Sequence, residues 1–422
     1  MCRGASKFEE SKGILTPDED RQNYTALYNK MTIPELQAIS GNTQLDWKTI
    51  FDALFATVNV EIAADESLVV QAPEYIEKFF NTFAGGAISS RTVANYLSWR
   101  YVYGHAELTS QAMRDLFFQF DQVVAGITEP QERWLTCSNL VNNVLGFAVS
   151  GPYVSQYFPP AAKEELTAVP AALFQNIYSY DSWSWNDMAK TLHVPTNRDL
   201  WITQPSIVNA FFYPSMNSIT FPAGILQPPF FQSNSLQSLN YGGIGVVIGH
   251  EMTHGFDNNG RQFDELGNLI NWWTPATGDA FVEKAQCFIN QYTNYLVPEL
   301  DSVIPEAHLD GLQTLGENLA DNGGMRQAWN AYLRYKEANG AEPVLPGLQQ
   351  FTPEQLFFIN FGNLWCGHYT QAGLLNIVLN DEHSPGKYRV WGSCSNSEPF
   401  AEAFGCTPED DMFNGENLCQ IW

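Results

Sequence analysis

The sequence predicts an α+β fold that is mainly helical and built in two parts. Three observations carry that prediction. Apolar residues recur at helical spacing through most of the first 180 residues, and a short β-rich pair of runs lies between Ile207 and Phe221. Long helical patterns then resume toward the C-terminus. We divide the chain into a helical part, 1–195, and an α+β part, 196–422.

In Asp46 to Val58, the residues Trp47, Ile50, Phe51, Leu54, Phe55 and Val58 share one helical face, and Asp46 is placed to cap it. Pro73–Phe83, Ser90–Tyr103, Glu107–Val124 and Glu132–Val149 carry the same pattern. The run Ile207 to Tyr213, a turn at Pro214 to Asn217, and Ser218 to Phe221 read as a strand pair. Helices are expected again from Tyr241, Asp279, Glu317 and Pro353.

The composition narrows the function classes. Of 422 residues, 45% are hydrophobic, enough for a packed core, and the formal net charge is -25. Such a surface repels phosphate backbones and anionic lipid headgroups, which argues against nucleic-acid and membrane-surface partners. No stretch approaches the ~18 apolar residues of a membrane helix, and the visible N-terminus has no secretory segment, so by itself it reads as cytosolic. Seven cysteines, five of them in the last third, leave two readings open: disulfides of an oxidising compartment, or buried thiols. One glycosylation sequon is present, Asn23-Tyr24-Thr25.

His250-Glu251-Met252-Thr253-His254 is the motif that points to chemistry. Positions i and i+4 of a helix share a face, so both imidazoles reach one metal ion, with Glu251 beside it as a general base. Zinc needs a third protein ligand. A ligand ten residues after the first histidine is excluded because that position is Gly260, and position 257, where the matching pattern needs glycine, is Asp257. The remaining option is a glutamate on another helix. Glu317 and Asp321, again i and i+4, offer a metal ligand and an acceptor for the free N–H of a ligating histidine. From the residues alone, His383 reads as a loop histidine beside a Pro-Gly turn, and Arg389 as a surface charge.

Several further blocks occur in order: Val208-Asn209-Ala210-Phe211; Phe221 to Phe231; Asn240 to Gly245; the metal helix through Asp257; Gly316 to Gly324; His383-Ser384-Pro385-Gly386 with Arg389; and Cys419-Gln420-Ile421-Trp422. With them, residues 205–422 strongly resemble the catalytic domain of the neprilysin and endothelin-converting-enzyme family of thermolysin-like zinc endopeptidases, nearest its neprilysin branch. The resemblance implies one Zn(2+) per chain held by His250, His254 and Glu317, with Glu251 taking the proton of the zinc-activated water. Asp321 then matches the carboxylate behind a ligand. His383 and Arg389 match the groups that hold the substrate carbonyl and stabilise the transition state, and Asp381 orients His383. Asn209 and Ala210 match the pair that bonds the substrate backbone. Ile225, Phe230, Val247 and Trp365, with Val246 beside them, match the apolar wall that favours large hydrophobic residues just after the scissile bond.

The family's substrates are oligopeptides and its location is extracellular or at the cell surface. Oligomeric state stays open. The resemblance pairs Cys287 with Cys419 and leaves Cys137, Cys366 and Cys406 at positions whose partners lie outside this chain; Cys2 and Cys394 are extra. Residues Phe8 to Tyr157 are similar to part of the helical domain that caps the family's site, and the chain starts in the middle of it. A second gap falls between Tyr157 and Trp201. An incomplete cap predicts relaxed size selection and exposed helical surface. The rival reading is a non-catalytic peptide-binding protein that keeps the fold; such a chain is expected to have lost a ligand or the base, and all are present here.

Overall fold

The computed structural model of the protein describes residues 24–41, 45–84, 88–105, 110–143, 146, 185–186 and 188–421. The chain clusters into two units, one from Met1–Asp121 with Pro170–Thr196, the other from Gln122–Val169 with Asn197–Trp422. Asn23 of the sequon, Cys2 and the stretch 147–184 lie outside the described residues.

In the first unit, β1 (Asn29–Thr32) pairs antiparallel with β2 (Ser67–Val70). Helix α1 (Ile33–Ile39) follows β1 directly because Thr32 and Glu35 form a reciprocal cap: the Thr32 amide donates to Glu35 Oε2 at 2.7 Å, and the Glu35 amide donates back to Thr32 Oγ1. These three elements had no counterpart in the periodicity reading. Helix α2 (Trp47–Phe55) begins as predicted, with the Lys48 amide on the Asp46 carboxylate at 3.0 Å. It ends earlier than expected, since Ala56–Val58 tightens to a 3-10 turn closed by Asn59 at φ 56°. Helices α3 (Pro73–Ala84), α4 (Ser90–His105) and α5 (Gln111–Val124) match the expected segments to within four residues at either end. Much of the apolar surface of α4 and α5 faces solvent: Leu97, Tyr101, Leu116 and Val123 are exposed.

The second unit carries the metal motif. Its strand pair, β3 (Phe211–Tyr213) and β4 (Ser218–Thr220), is shorter than the sequence suggested. Ile207 to Ala210 stays outside the ladder because its backbone is committed locally. The Ile207 amide bonds the Gln204 carbonyl, and the Ala210 amide donates to Asn209 Oδ1. A π-helical turn, Tyr241–Gly245, then leads into α6 (Val246–His254). After it come α7 (Pro275–Thr293), α8 (Leu315–Asn339), α9 (Pro353–Leu364), α10 (Gln371–Asn380), α11 (Gly386–Ser395) and α12 (Glu398–Phe404). The last three had not been anticipated.

Helix α8 is buried on nearly every side over its first three turns, from Leu315 to Met325, so it is a core helix rather than an amphipathic one. It lies between two apolar clusters, one around Phe288, Tyr292, Leu319 and Tyr388, the other around Val246, Trp329, Phe357 and Cys394. Cys287 and Cys419 form the disulfide the resemblance implied. Cys137, Cys366, Cys394 and Cys406 are free thiols among the described residues.

What brings α6 and α8 close enough to share a site is glycine. A Cβ on Gly249 would stand 2.8 Å from the Gly324 Cα, and one on Gly324 would stand 2.6 Å from the His250 amide nitrogen. Both contacts are with backbone, which cannot rotate away. The two helices touch through bare main chain, and that sets the reach from Glu317 to the histidines.

Candidate metal centre

His250, Glu251 and His254 occupy the last two turns of α6, and Glu317 and Asp321 the first two of α8. The geometry expected from the spacings is present. His250 Nε2 is 3.3 Å from Glu317 Oε2, His254 Nε2 is 3.4 Å from Glu317 Oε1, and the two Nε2 atoms are 2.9 Å apart. Tetrahedral zinc, with bonds of about 2.0–2.2 Å, places neighbouring ligand atoms roughly 3.3 Å apart. The two Nε2 atoms and one oxygen of the Glu317 carboxylate therefore offer three corners of such a site.

The hydrogen-bond partners say why a cation belongs there. His250 Nδ1 lies 2.9 Å from Asp321 Oδ1, and His254 Nδ1 lies 2.6 Å from Asp257 Oδ2. With each Nδ1 set against a carboxylate, both rings turn their Nε2 atoms inward, toward the Glu317 carboxylate. Donor atoms converging in this way need a shared positive charge, either a proton on His250 or a metal ion.

Asp257 was not singled out from the sequence. Its Oδ1 accepts the amides of Asn259 and Gly260 at 2.7 and 2.6 Å, which clamps the turn after α6 and aims Oδ2 at His254. The signal was available in principle: an acid three residues beyond the second histidine, followed by the turn-forming run Asn258-Asn259-Gly260.

Arg389 corrects the surface-charge reading. It sits on α11, 6% exposed, with Nε donating to Asp321 Oδ2 at 2.7 Å and Nη2 to Asp321 Oδ1 at 2.6 Å. Nη2 also reaches Glu317 Oε2 at 3.5 Å, and the guanidinium carbon stands 3.8 Å over the Trp365 ring. His383 lies at the mouth of the same cluster, its Nε2 3.3 Å from Glu317 Oε2 and its Nδ1 2.8 Å from Asp381 Oδ1.

The electrostatics follow from burial and pairing. Burial disfavours the charged form of His250, but the Asp321 and Glu317 carboxylates outweigh it and raise its pKa to about 10. The same pairing holds Asp321 below the usual carboxylate range despite complete burial, with Arg389 the largest favourable influence. Glu251 moves the other way: burial pushes its carboxyl up, and the nearby histidines only partly offset this. An acid with a raised pKa is poised to accept and return a proton.

The residues expected to touch substrate divide. Ala210, Ile225, Phe230 and Val247 pack together with Ile244 and Phe221. Val246 does not join them; it faces the other way, into the core with Met325, Trp329 and Phe357, because one residue along a helix turns the side chain by about 100°. Trp365 also lies apart from the group, against that core and under Arg389. Asn209 is exposed, with its carbonyl oxygen held by the Ala210 amide.

Fold and site together define a mainly helical, thermolysin-like zinc peptidase fold. The chain belongs to peptidase family M13: the family's sequence model matches residues 209–421, and the model of the family's N-terminal region matches residues 6–180. Neprilysin of Oryctolagus cuniculus is 35% identical over 479 aligned residues, covering 98% of this chain and 63% of that protein. An endothelin-converting enzyme homolog of Locusta migratoria is 32% identical, covering 100% of this chain and 65% of the relative. Among solved structures, the zinc metalloprotease ZMP1 of Mycobacterium tuberculosis in complex with an inhibitor superposes with a TM-score of 0.84 at 28% identity. That match covers 96% of this chain and 68% of the other. This chain thus spans under two thirds of the length of the neprilysins it matches. No helix among the described residues is long and apolar enough to cross a membrane.

Proposed function

We propose that this chain is a zinc endopeptidase that hydrolyses small oligopeptides on the amino side of hydrophobic residues. The observation that carries the reading is the convergence of His250, His254 and Glu317, each locked from behind, around one point beside a buried acid with a raised pKa. His250, His254 and Glu317 would hold one zinc ion, which when bound supplies an acidified water and a Lewis acid for the scissile carbonyl. Glu251 accepts the proton of the attacking water and delivers it to the leaving amine. His383, oriented by Asp381, stands at the exposed side of the cluster where the carbonyl oxygen would lie. Hydrogen bonding there offsets developing negative charge, worth about 3 kcal/mol per donor.

Arg389 has committed Nε and Nη2 to the carboxylates of α8 and keeps Nη1 for a substrate carbonyl. Asn209 would bond the substrate backbone, and the cluster of Ala210, Ile225, Phe230 and Val247 offers apolar contact for the residue after the scissile bond. The family resemblance supports an extracellular or cell-surface setting, and the disulfide agrees with it.

A fluorogenic peptide with a hydrophobic residue after the cleaved bond tests the reading on purified, zinc-loaded chain. Cleavage should stop on chelation, return with zinc, and fall about 100- to 10,000-fold in Glu251→Gln. A folded, zinc-loaded chain that binds the peptide without cutting it would establish the rival, a non-catalytic peptide binder.

A further inference from the structure

Glu382 takes no part in the reaction just proposed. Its carboxylate nevertheless groups with Glu317 and His383, their donor atoms all within 4.8 Å of one another. His383 Nδ1 lies 2.8 Å from Asp381 Oδ1, which turns its Nε2 toward Glu317 Oε2, 3.3 Å away. That separation again suits adjacent ligands of a tetrahedral divalent ion. Glu382 is exposed, and its carboxylate has no hydrogen bond or ion pair with the described residues, so rotation of its side chain is free to complete the set.

We propose that Glu382, His383 and Glu317 form a second divalent-cation site that shares Glu317 with the first, and that filling it inhibits the enzyme. Its existence rests on this geometry; its inhibitory effect rests on the peptidase reading. One imidazole, one carboxylate and half of a bridging carboxylate make a donor set suited to zinc. The site is weaker than the first for three reasons. Two of its ligands are solvated, with the His383 side chain 44% exposed, and Glu317 is already engaged. In addition, the Arg389 cation stands 3.5 Å from the shared oxygen and repels an incoming ion. A cation on His383 Nε2 removes the group that would face the substrate carbonyl and occupies the open side of the centre. Glu317 bridges without breaking any bond, so no redox or covalent step is involved.

The test counts metal. Full-length chain stripped of metal is dialysed at neutral pH against rising free Zn2+, bound zinc is measured by atomic absorption, and peptide cleavage is followed in parallel. The first equivalent should switch cleavage on; a second, at a free zinc concentration about 100-fold higher or more, should switch it off. Glu382→Gln should weaken the second equivalent about tenfold or more and move the inhibition by the same factor. Uptake of the first equivalent serves as its folding control. Saturation of the wild type at one equivalent, or unchanged second-site affinity in Glu382→Gln, overturns the proposal. Metal counting needs no turnover, so a chain that binds two equivalents and cleaves nothing keeps this site while losing the peptidase reading.

Discussion

Arg389 and Asp321 are joined by two parallel hydrogen bonds, Nε to Oδ2 at 2.7 Å and Nη2 to Oδ1 at 2.6 Å, with both side chains buried. Because Asp321 also receives His250 Nδ1, the pair ties α11 to the metal centre by way of α8. Replacing Arg389 by methionine leaves Asp321 buried beside Glu317 without its cation. A loss of about 3–5 kcal/mol is expected, read from urea denaturation of the metal-free protein. Arg389→Lys should recover only part of this, since an ammonium cannot make the two-pronged contact.

Asp257 is expected to matter for metal retention as well as for the turn it clamps after α6. Asp257→Ala leaves His254 free to rotate and to change tautomer. Zinc affinity should fall about 10- to 100-fold in a competition assay with a chromophoric chelator. An affinity equal to the wild type would show that the ring is held by packing alone.

Gly324→Val tests the bare-backbone contact between α6 and α8. A side chain there meets the His250 amide nitrogen and the Val246 carbonyl at under 3 Å. The helices must separate, and Glu317 moves away from the histidines with them. Both thermal stability and zinc uptake should drop, whereas Gly278→Ala, in open space on α7, should lower neither.

The metal-free protein should lose stability as the pH rises. His250 is raised to about 10 in the fold against about 6.5 unfolded, so its contribution is full below 6.5 and disappears as the pH climbs through 10. Asp321 is depressed, so its contribution is present above the ordinary carboxylate range near 4 and fades as acid protonates it. Melting temperatures of chelated protein should therefore fall from pH 7 to 10, and also below pH 4. In zinc-loaded protein His250 is a neutral ligand, so the alkaline decline should largely vanish.

Spacing alone determined a good deal of this protein. His250 with His254, and Glu317 with Asp321, could be read as shared faces because four residues return a helix to the same side whatever surrounds it. The N-cap of α2 and the turn between β3 and β4 were legible for the same local reason. What the tertiary structure alone decided is nonlocal. Arg389 became a buried partner of Asp321 rather than a surface charge because α11, rich in Gly, Ser and Cys and lacking an apolar stripe, packs into the core across 68 residues of sequence. Asp257 took up His254 because a turn bent back on the helix, and Val246 stands apart from the apolar cluster of Ala210, Ile225 and Val247 because α8 and α9 claimed its face. Periodicity states which side chains point the same way; only packing chooses what they point at.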